Sequence, residues 1–198
     1  MSALRKEKRQ GQYIYADYVA AKERGGRWEL VDGTLRAMAS PNMWHQEIAG
    51  NIHAGLWNHL RGNPKCIVLM NFDARLFADQ GNEKAWQPDV FVVCDPSKKY
   101  LNYIKGAPDF VVEILSPSNT RHDLRVKLAK YKEARVREIW FIEPRMETIT
   151  AYLLADDGGY SGRTYHIGDK IPINILQGLV FDVADIFETT SVQDEEDI

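Results

Sequence analysis

The chain has 198 residues, of which 44% are hydrophobic and 27% are charged, and its formal net charge is −3. This length suffices for one domain with a sizeable core, and the composition is ordinary for a globular protein. The negative balance argues against a protein that binds nucleic acid over its whole surface, but it leaves a local basic patch open.

The sequence predicts neither a membrane span nor a secretory signal. No apolar run approaches the roughly 18 residues of a span, and the basic N-terminus lacks an apolar segment. The cysteines, Cys66 and Cys94, lack metal-ligand spacing. We therefore expect no disulfide framework and a cytoplasmic location.

The first part of the chain predicts two helices with a hairpin between them. Residues 1–12 predict a loose, polar lead-in, and apolar positions with helical spacing over 13–23 predict the first helix. Asp32-Gly33 between two apolar runs is a strong hairpin signal. A second helix is expected over 40–60, and His45 lies near its apolar stripe, either as a core-edge histidine or as part of a site.

The middle of the chain predicts a buried sheet. Its apolar runs, each of strand length, are 66–70, 74–77, 87–94, 109–115 and 138–142. A helix over 121–134 joins the last two of these runs, so they form a βαβ-like unit.

The last part of the chain alternates between outer strands and turns. Residues 148–154 predict a half-exposed strand that turns back into 160–166, and a short helix over 182–187 follows two extended pieces. We expect one domain over 13–188 and an acidic tail over 189–198. The predicted fold class is α/β, more closely α+β, with a central mixed sheet flanked by helices.

Three charged residues stand at positions that a purely structural design would avoid. Asp89 begins one buried strand, Glu113 lies inside the next, and Lys127 lies beside the inner stripe of the following helix. Two carboxylates and a lysine at one sheet edge suit Mg²⁺ and phosphodiester hydrolysis, with the lysine orienting or activating water. Alternatively, Asp89 caps a turn, Glu113 pairs with a buried cation, and Lys127 extends along the surface.

The helix over 121–134 also carries a basic surface. Its candidate phosphate contacts are Arg121, Arg125, Lys130 and Lys132. The alternative is a solvated helix face with no ligand.

Four segments of the sequence form a recognisable set of motifs: Pro88 to Val92, Gly106 to Ser118, Asp123 to Tyr131 and Val136 to Trp140. They resemble the Uma2 family, also called DUF820, of restriction-endonuclease-like proteins in the PD-(D/E)XK nuclease superfamily. The resemblance covers about residues 13–188 and implies a restriction endonuclease-like core.

The resemblance also implies roles for individual residues. The metal-binding Asp and Glu of the superfamily match Asp89 and Glu113. The superfamily lysine normally stands two residues after that Glu, where this chain has Leu115, and in this family it matches Lys127 on the following helix. Further site-lining positions match Glu29, His45 and Gln87, and the backbone carbonyl of Ile114 is a candidate third metal ligand.

We therefore expect an endonuclease that depends on Mg²⁺, or on Mn²⁺ in its place, with DNA favoured as substrate and a homodimer as the assembly. One alternative is a catalytically inactive module of the same fold that binds nucleic acid or a protein partner. Another is a structural oligomer in which outer strands such as 148–154 pair with a second copy.

Overall fold

The computed structural model describes residues 8–38, 40–78, 84–116 and 120–189. The helices are α1 (Tyr15–Glu23), α2 (Met43–Leu60), α3 (Arg121–Glu133) and α4 (Val183–Phe187). The strands are β1 (Arg27–Val31), β2 (Thr34–Met38), β3 (Ile67–Met70), β4 (Ala74–Arg75), β5 (Val90–Val93), β6 (Ile104–Lys105), β7 (Phe110–Ile114), β8 (Glu138–Glu143), β9 (Thr148–Leu154), β10 (Tyr160–His166), β11 (Lys170–Pro172) and β12 (Val180–Asp182). No described helix is both long enough and apolar enough to cross a membrane.

A six-stranded mixed sheet organises the fold, in the order β10-β9-β8-β7-β5-β3. Strands β7 and β8 are parallel, and the other neighbouring pairs are antiparallel. Because parallel neighbours need a crossover, α3 connects β7 to β8 over one face of the sheet. The predicted βαβ unit and the predicted mixed sheet with flanking helices are confirmed.

Alternation along β7 divides the core into two layers. Phe110, Val112 and Ile114 pack in the layer that contains the buried side chains of α2 and α4. Val111 packs in the opposite layer, together with Tyr131 of α3. Since successive strand residues face opposite sides, Glu113 lies on the same side as Val111, toward α3.

The predicted hairpin is confirmed as β1–β2, with Leu30 paired to Leu35 across it. Asp32 and Gly33 both have positive φ, of 48° and 71°. A two-residue type I′ turn of a β-hairpin requires positive φ at both positions. A Cβ at Gly33 would lie 2.5 Å from the carbonyl oxygen of Gly11, so only glycine fits there. The same contact corrects the expectation of a loose lead-in for residues 8–12, because the Gly33 carbonyl accepts from Gly11 N at 2.9 Å.

The expectation of no disulfide is wrong, because Cys66 and Cys94 are bonded. Each cysteine directly adjoins one strand of the antiparallel pair β3–β5, in which Ile67 lies opposite Val93. Continuing that register by one residue places the two cysteines face to face. Their separation of 28 residues in the sequence gave no sign of the pairing. The cytoplasmic location stays a prediction, but the cysteines no longer support it.

Two expectations about strands also need correction. The strand predicted over 74–77 is limited to β4, because its partner β6 has only two residues. Strand β9 is paired on both sides, by β8 and β10, so its backbone is not free to pair with a second copy. The edges of the large sheet are β10 and β3, and the homodimer stays a prediction.

Some predictions fall outside the described residues. These are the first part of the lead-in, the centre of the polar turn after Phe77, part of the turn before α3, and all but residue 189 of the acidic tail. The end of the turn before α3 is described, and Thr120 caps that helix by accepting from Asp123 N at 3.1 Å.

Candidate active site

Strand register brings Asp89 and Glu113 together. In the antiparallel pair β5–β7, Val90 lies opposite Val112 and Phe91 opposite Val111. The next position of the same register sets Asp89 across from Glu113, both on the α3 side of the sheet. A hydrogen bond of 2.8 Å from Ile114 N to Asp89 Oδ2 fixes this arrangement.

Two side chains of α3 hold the two oxygens of Glu113 separately. Lys127 Nζ lies 2.8 Å from Glu113 Oε2, and Tyr131 Oη donates to Oε1 at 2.5 Å. Lys127 and Tyr131 are four residues apart and therefore share one face of the helix. The glutamate is only 4% exposed, so these contacts supply the partners that a buried carboxylate needs.

Buried carboxylates outnumber the buried ammonium groups at this point of the protein. Lys127 Nζ also lies 3.4 Å from Glu29 Oε1, at ion-pair distance but without hydrogen-bond geometry. Burial raises the pKa of Glu113 to about 7, with the charges of Asp89 and Glu29 adding to the rise and Lys127 opposing it. Burial alone would lower the pKa of Lys127, but Glu113 and Glu29 hold it above its ordinary value.

His45 reaches the site from the start of α2. Asn42 caps that helix, because its Oδ1 accepts from His45 N at 2.9 Å. This bond fixes the backbone position of His45. The His45 Nε2 atom lies 3.2 Å from Asp89 Oδ2. The two alternatives that the sequence left open for His45, a core-edge histidine and part of a site, therefore both describe it.

A cavity of about 250 Å³ opens against these groups. Its walls include the sequence-predicted residues Glu29, His45, Asp89, Glu113, Ile114 and Lys127. Residues from the hairpin, from the start of α2, from the ends of β5 and β7 and from α3 thus meet at one place.

Gln87 does not line this cavity and belongs to a different buried network. Its Nε2 donates to Asp73 Oδ1 at 2.8 Å and lies 3.3 Å from Tyr18 Oη. Tyr18 Oη and Lys22 Nζ also donate to Asp73, at 2.7 and 2.9 Å. These bonds attach α1 to the core, and they account for the polar side chain of Gln87.

The four basic residues predicted to contact phosphate do not line the cavity either. Arg121 and Arg125 are exposed on α3. Lys130 Nζ pairs with Glu133 Oε2 at 2.8 Å, and Lys132 Nζ lies over the rings of Tyr152 and Tyr160. At about 100° per residue, Lys130 lies on the opposite side of the helix from the other three.

Sequence inspection missed four residues of the site: Tyr131, Trp86, Arg27 and Arg36. The helical spacing of Tyr131 from Lys127 could have indicated the first. Trp86 is 1% exposed and packs its ring against that of Tyr131, with a centroid distance of 5.2 Å. The alternation of β1 could have indicated Arg27, which is two residues from Glu29 and faces the same side.

Several buried polar atoms of the cavity wall lack a hydrogen-bond partner among the described residues. They are Arg27 Nε, Glu29 Oε1, His45 Nδ1 and Trp86 Nε1. Buried polar groups in proteins are nearly always satisfied, so their concentration at one cavity indicates a place that takes a polar ligand. Among the described residues, however, no three His, Cys, Asp or Glu side chains are grouped as metal ligands.

The mixed sheet with flanking helices, and the cavity where two carboxylates and a buried lysine meet, agree with the restriction endonuclease-like core expected from the sequence. A solved structure of a "putative nuclease belonging to DUF820" from Anabaena variabilis has this fold, with a TM-score of 0.68, 15% identity, and coverage of 81% of this chain and 89% of that one. The Uma2 family model, "Putative restriction endonuclease", matches residues 15–184. This chain belongs to the Uma2 family.

A curated relative comes from Synechocystis sp. and is described as "Uncharacterized protein slr1290". It is 27% identical to this chain over 160 residues, which are 80% of this chain and 82% of the relative.

Proposed function

We propose that this chain is a metal-dependent endonuclease that hydrolyses phosphodiester bonds of nucleic acid, with DNA as the favoured substrate. The observation that carries the proposal is the convergence of Asp89, Glu113 and Lys127 on one cavity, with Lys127 Nζ 2.8 Å from Glu113 Oε2. Membership of a family described as "Putative restriction endonuclease" supports the same class of reaction.

The donor set fits Mg²⁺ or Mn²⁺ by its chemistry. Mg²⁺ binds through one or two carboxylates, keeps several waters and takes its remaining ligands from substrate phosphate, so three grouped side chains are not required. Asp89 and Glu113 would hold the ion, with the carbonyl oxygen of Ile114 as a third ligand. A bound ion of this kind polarises the phosphate and lowers the pKa of its water.

The chain's own residues then position the reactants. Lys127 is held protonated by Glu113 and Glu29, so it acts as a charged donor that orients water and offsets negative charge on the phosphate. Tyr131 and Lys127 keep the Glu113 carboxylate in one orientation. The Ile114 N–H does the same for Asp89, and His45 Nε2 lies 3.2 Å from the same oxygen.

The test is cleavage of supercoiled plasmid DNA with Mg²⁺ or Mn²⁺, comparing the wild type with Asp89→Asn, Glu113→Gln and Lys127→Met. These variants keep side-chain volume while removing charge. We expect nicking by the wild type and a loss of at least about 100-fold in each variant. Equal rates in all four proteins would remove the assigned roles.

A second function, a catalytically inactive binding module, is favoured by one observation. Both oxygens of Glu113 already have partners in Lys127 and Tyr131, so the buried carboxylate is satisfied without a metal ion. Titration calorimetry with Mn²⁺ separates the two functions. No heat of metal binding, together with salt-sensitive binding of DNA, would establish the inactive module.

A further inference from the structure

One face of the β1–β2 hairpin forms a wall of the cavity. Arg27, Glu29 and Val31 of β1 line it at alternate positions, and β2 adds Arg36 and Met38. The register sets Glu29 opposite Arg36 and Arg27 opposite Met38. The hairpin therefore brings two guanidinium groups to the wall that carries Glu29.

Arg27 is fixed to the turn that carries Asp89. Its Nη2 donates to Asn71 Oδ1 at 2.6 Å. Asn71 N in turn donates to the carbonyl oxygens of Pro88 and Asp89, at 3.1 and 3.3 Å. The guanidinium is thus oriented at the cavity wall before any ligand arrives, which lowers the entropic cost of binding.

Arg27 still has hydrogen-bonding capacity to spare. Its Nε is buried and has no acceptor among the described residues. Nor does any described carboxylate lie within ion-pair distance of it. The side chain as a whole is half-buried. A partly desolvated cation without an anion is unfavourable, so a ligand that brings negative charge would relieve this.

Arg36 is only loosely engaged. Its Nη1 lies 3.5 Å from Asp123 Oδ1, the long limit for a hydrogen bond. Asp123 already accepts through Oδ2 from Thr120 N and Oγ1 as part of the helix cap. The side chain of Arg36 is 46% exposed, so its remaining donors are open to a ligand.

We propose that Arg27 and Arg36 form an oxyanion subsite that binds a phosphodiester group of the nucleic-acid substrate. The inference rests on the proposed function and names the part of the site that holds the substrate. A guanidinium presents five N–H donors in a planar fork that matches phosphate oxygens, which a lysine does not. The hairpin, and not the outer surface of α3, then supplies the phosphate contacts.

The experiment compares four proteins: the wild type, Arg27→Gln/Arg36→Gln, Arg27→Lys, and the control Arg121→Gln/Arg125→Gln, which removes the same charge as the double hairpin variant from exposed positions on α3. Binding of a fluorescein-labelled 20-base-pair DNA duplex and of the RNA duplex of the same sequence is measured by anisotropy in EDTA, at about 50 and about 200 mM salt. Plasmid nicking and the melting temperature are recorded for each protein.

Losing the contacts to one phosphate lowers the magnitude of the salt slope by about 0.9 on duplex DNA, so the affinity loss between about 50 and about 200 mM salt becomes roughly three- to fourfold smaller. We expect that change in the hairpin variant, at least a tenfold weaker affinity at low salt, and wild-type behaviour in the control. The single variant Arg27→Lys should keep the wild-type salt slope and still bind DNA more weakly than the wild type. A lysine keeps the positive charge but lacks the planar set of donors of a guanidinium.

The subsite alone is overturned if the wild type nicks plasmid and the hairpin variant binds DNA with the wild-type affinity and salt slope. A wild type that neither binds nor nicks overturns the proposed function and the subsite with it. A larger effect in the α3 control than in the hairpin variant also overturns the subsite and assigns phosphate binding to the helix.

Discussion

Asp89 lies directly across from Glu113 in the extended register of the β5–β7 ladder, and the backbone N–H of Ile114 donates to the Asp89 carboxylate at 2.8 Å. Two carboxylates from antiparallel neighbours are thereby set side by side on the face that α3 covers. Lys127 and Tyr131 meet them from that helix.

The first prediction concerns Tyr131 as a positioning residue for Glu113. Tyr131→Phe removes the hydroxyl that donates to Oε1 and leaves one oxygen of the carboxylate unrestrained. Because outer hydrogen bonds to metal ligands set metal affinity, we expect Mn²⁺ binding to weaken by about 10- to 100-fold in calorimetry.

The chain offers a matched control for this change. Tyr18 is equally buried, and its Oη donates to the buried Asp73 at 2.7 Å, in the network away from the cavity. Tyr18→Phe should lower the free energy of unfolding and leave Mn²⁺ affinity unchanged. The same loss of metal affinity in both variants would show that Tyr131 acts only through stability.

The second prediction concerns the ion pair between Glu113 and Lys127. Lys127→Met leaves a carboxylate buried beside Asp89 and Glu29 without its ammonium partner, and we expect a loss of about 3–5 kcal/mol in the free energy of unfolding. The double variant Glu113→Gln/Lys127→Met removes both charges and should recover much of that loss. Urea unfolding measures both values, and a double variant no more stable than Lys127→Met contradicts the prediction.

The third prediction is a pH dependence of stability in the presence of EDTA. The pKa of Glu113 is raised from 4.5 to about 7, so between these values the folded protein binds more protons than the unfolded chain. The free energy of unfolding therefore falls as the pH rises from about 4.5 to about 7, and this group contributes no further change above that range. The fall is on the order of 3 kcal/mol at most.

The control for the pH dependence is Glu113→Gln, which cannot titrate at this position. The difference in unfolding free energy between wild type and variant, measured in urea at several pH values, isolates the contribution of Glu113. A difference that stays constant from pH 4 to about pH 8 would show that the carboxyl is not perturbed by burial.

The fourth prediction concerns the bond between Cys66 and Cys94. It closes a loop of 28 residues, and opening it releases chain entropy in the unfolded state, with an expected loss of about 3 kcal/mol in the free energy of unfolding. Thermal unfolding with and without dithiothreitol measures the loss. Cys66→Ser/Cys94→Ser serves as the control, since its stability should not respond to the reductant.

Local patterns in the sequence were enough to predict most of the fold. The alternation of 109–115, the Asp32-Gly33 turn and the helical spacing of 121–134 depend on neighbours a few residues apart, and each gave the correct element. The conspicuous charges Asp89, Glu113 and Lys127 were recognised because a carboxylate in an apolar strand is costly without a partner.

Tertiary structure alone decided which side chains meet. Strand register depends on the pairing of distant segments, and a shift of one residue reverses every side chain. The β5–β7 register set Asp89 across from Glu113, and the β3–β5 register joined Cys66 to Cys94. The sequence thus determined the elements and the charged candidates, while the pairing of those elements decided that Arg27 faces the cavity and that Gln87 turns away from it.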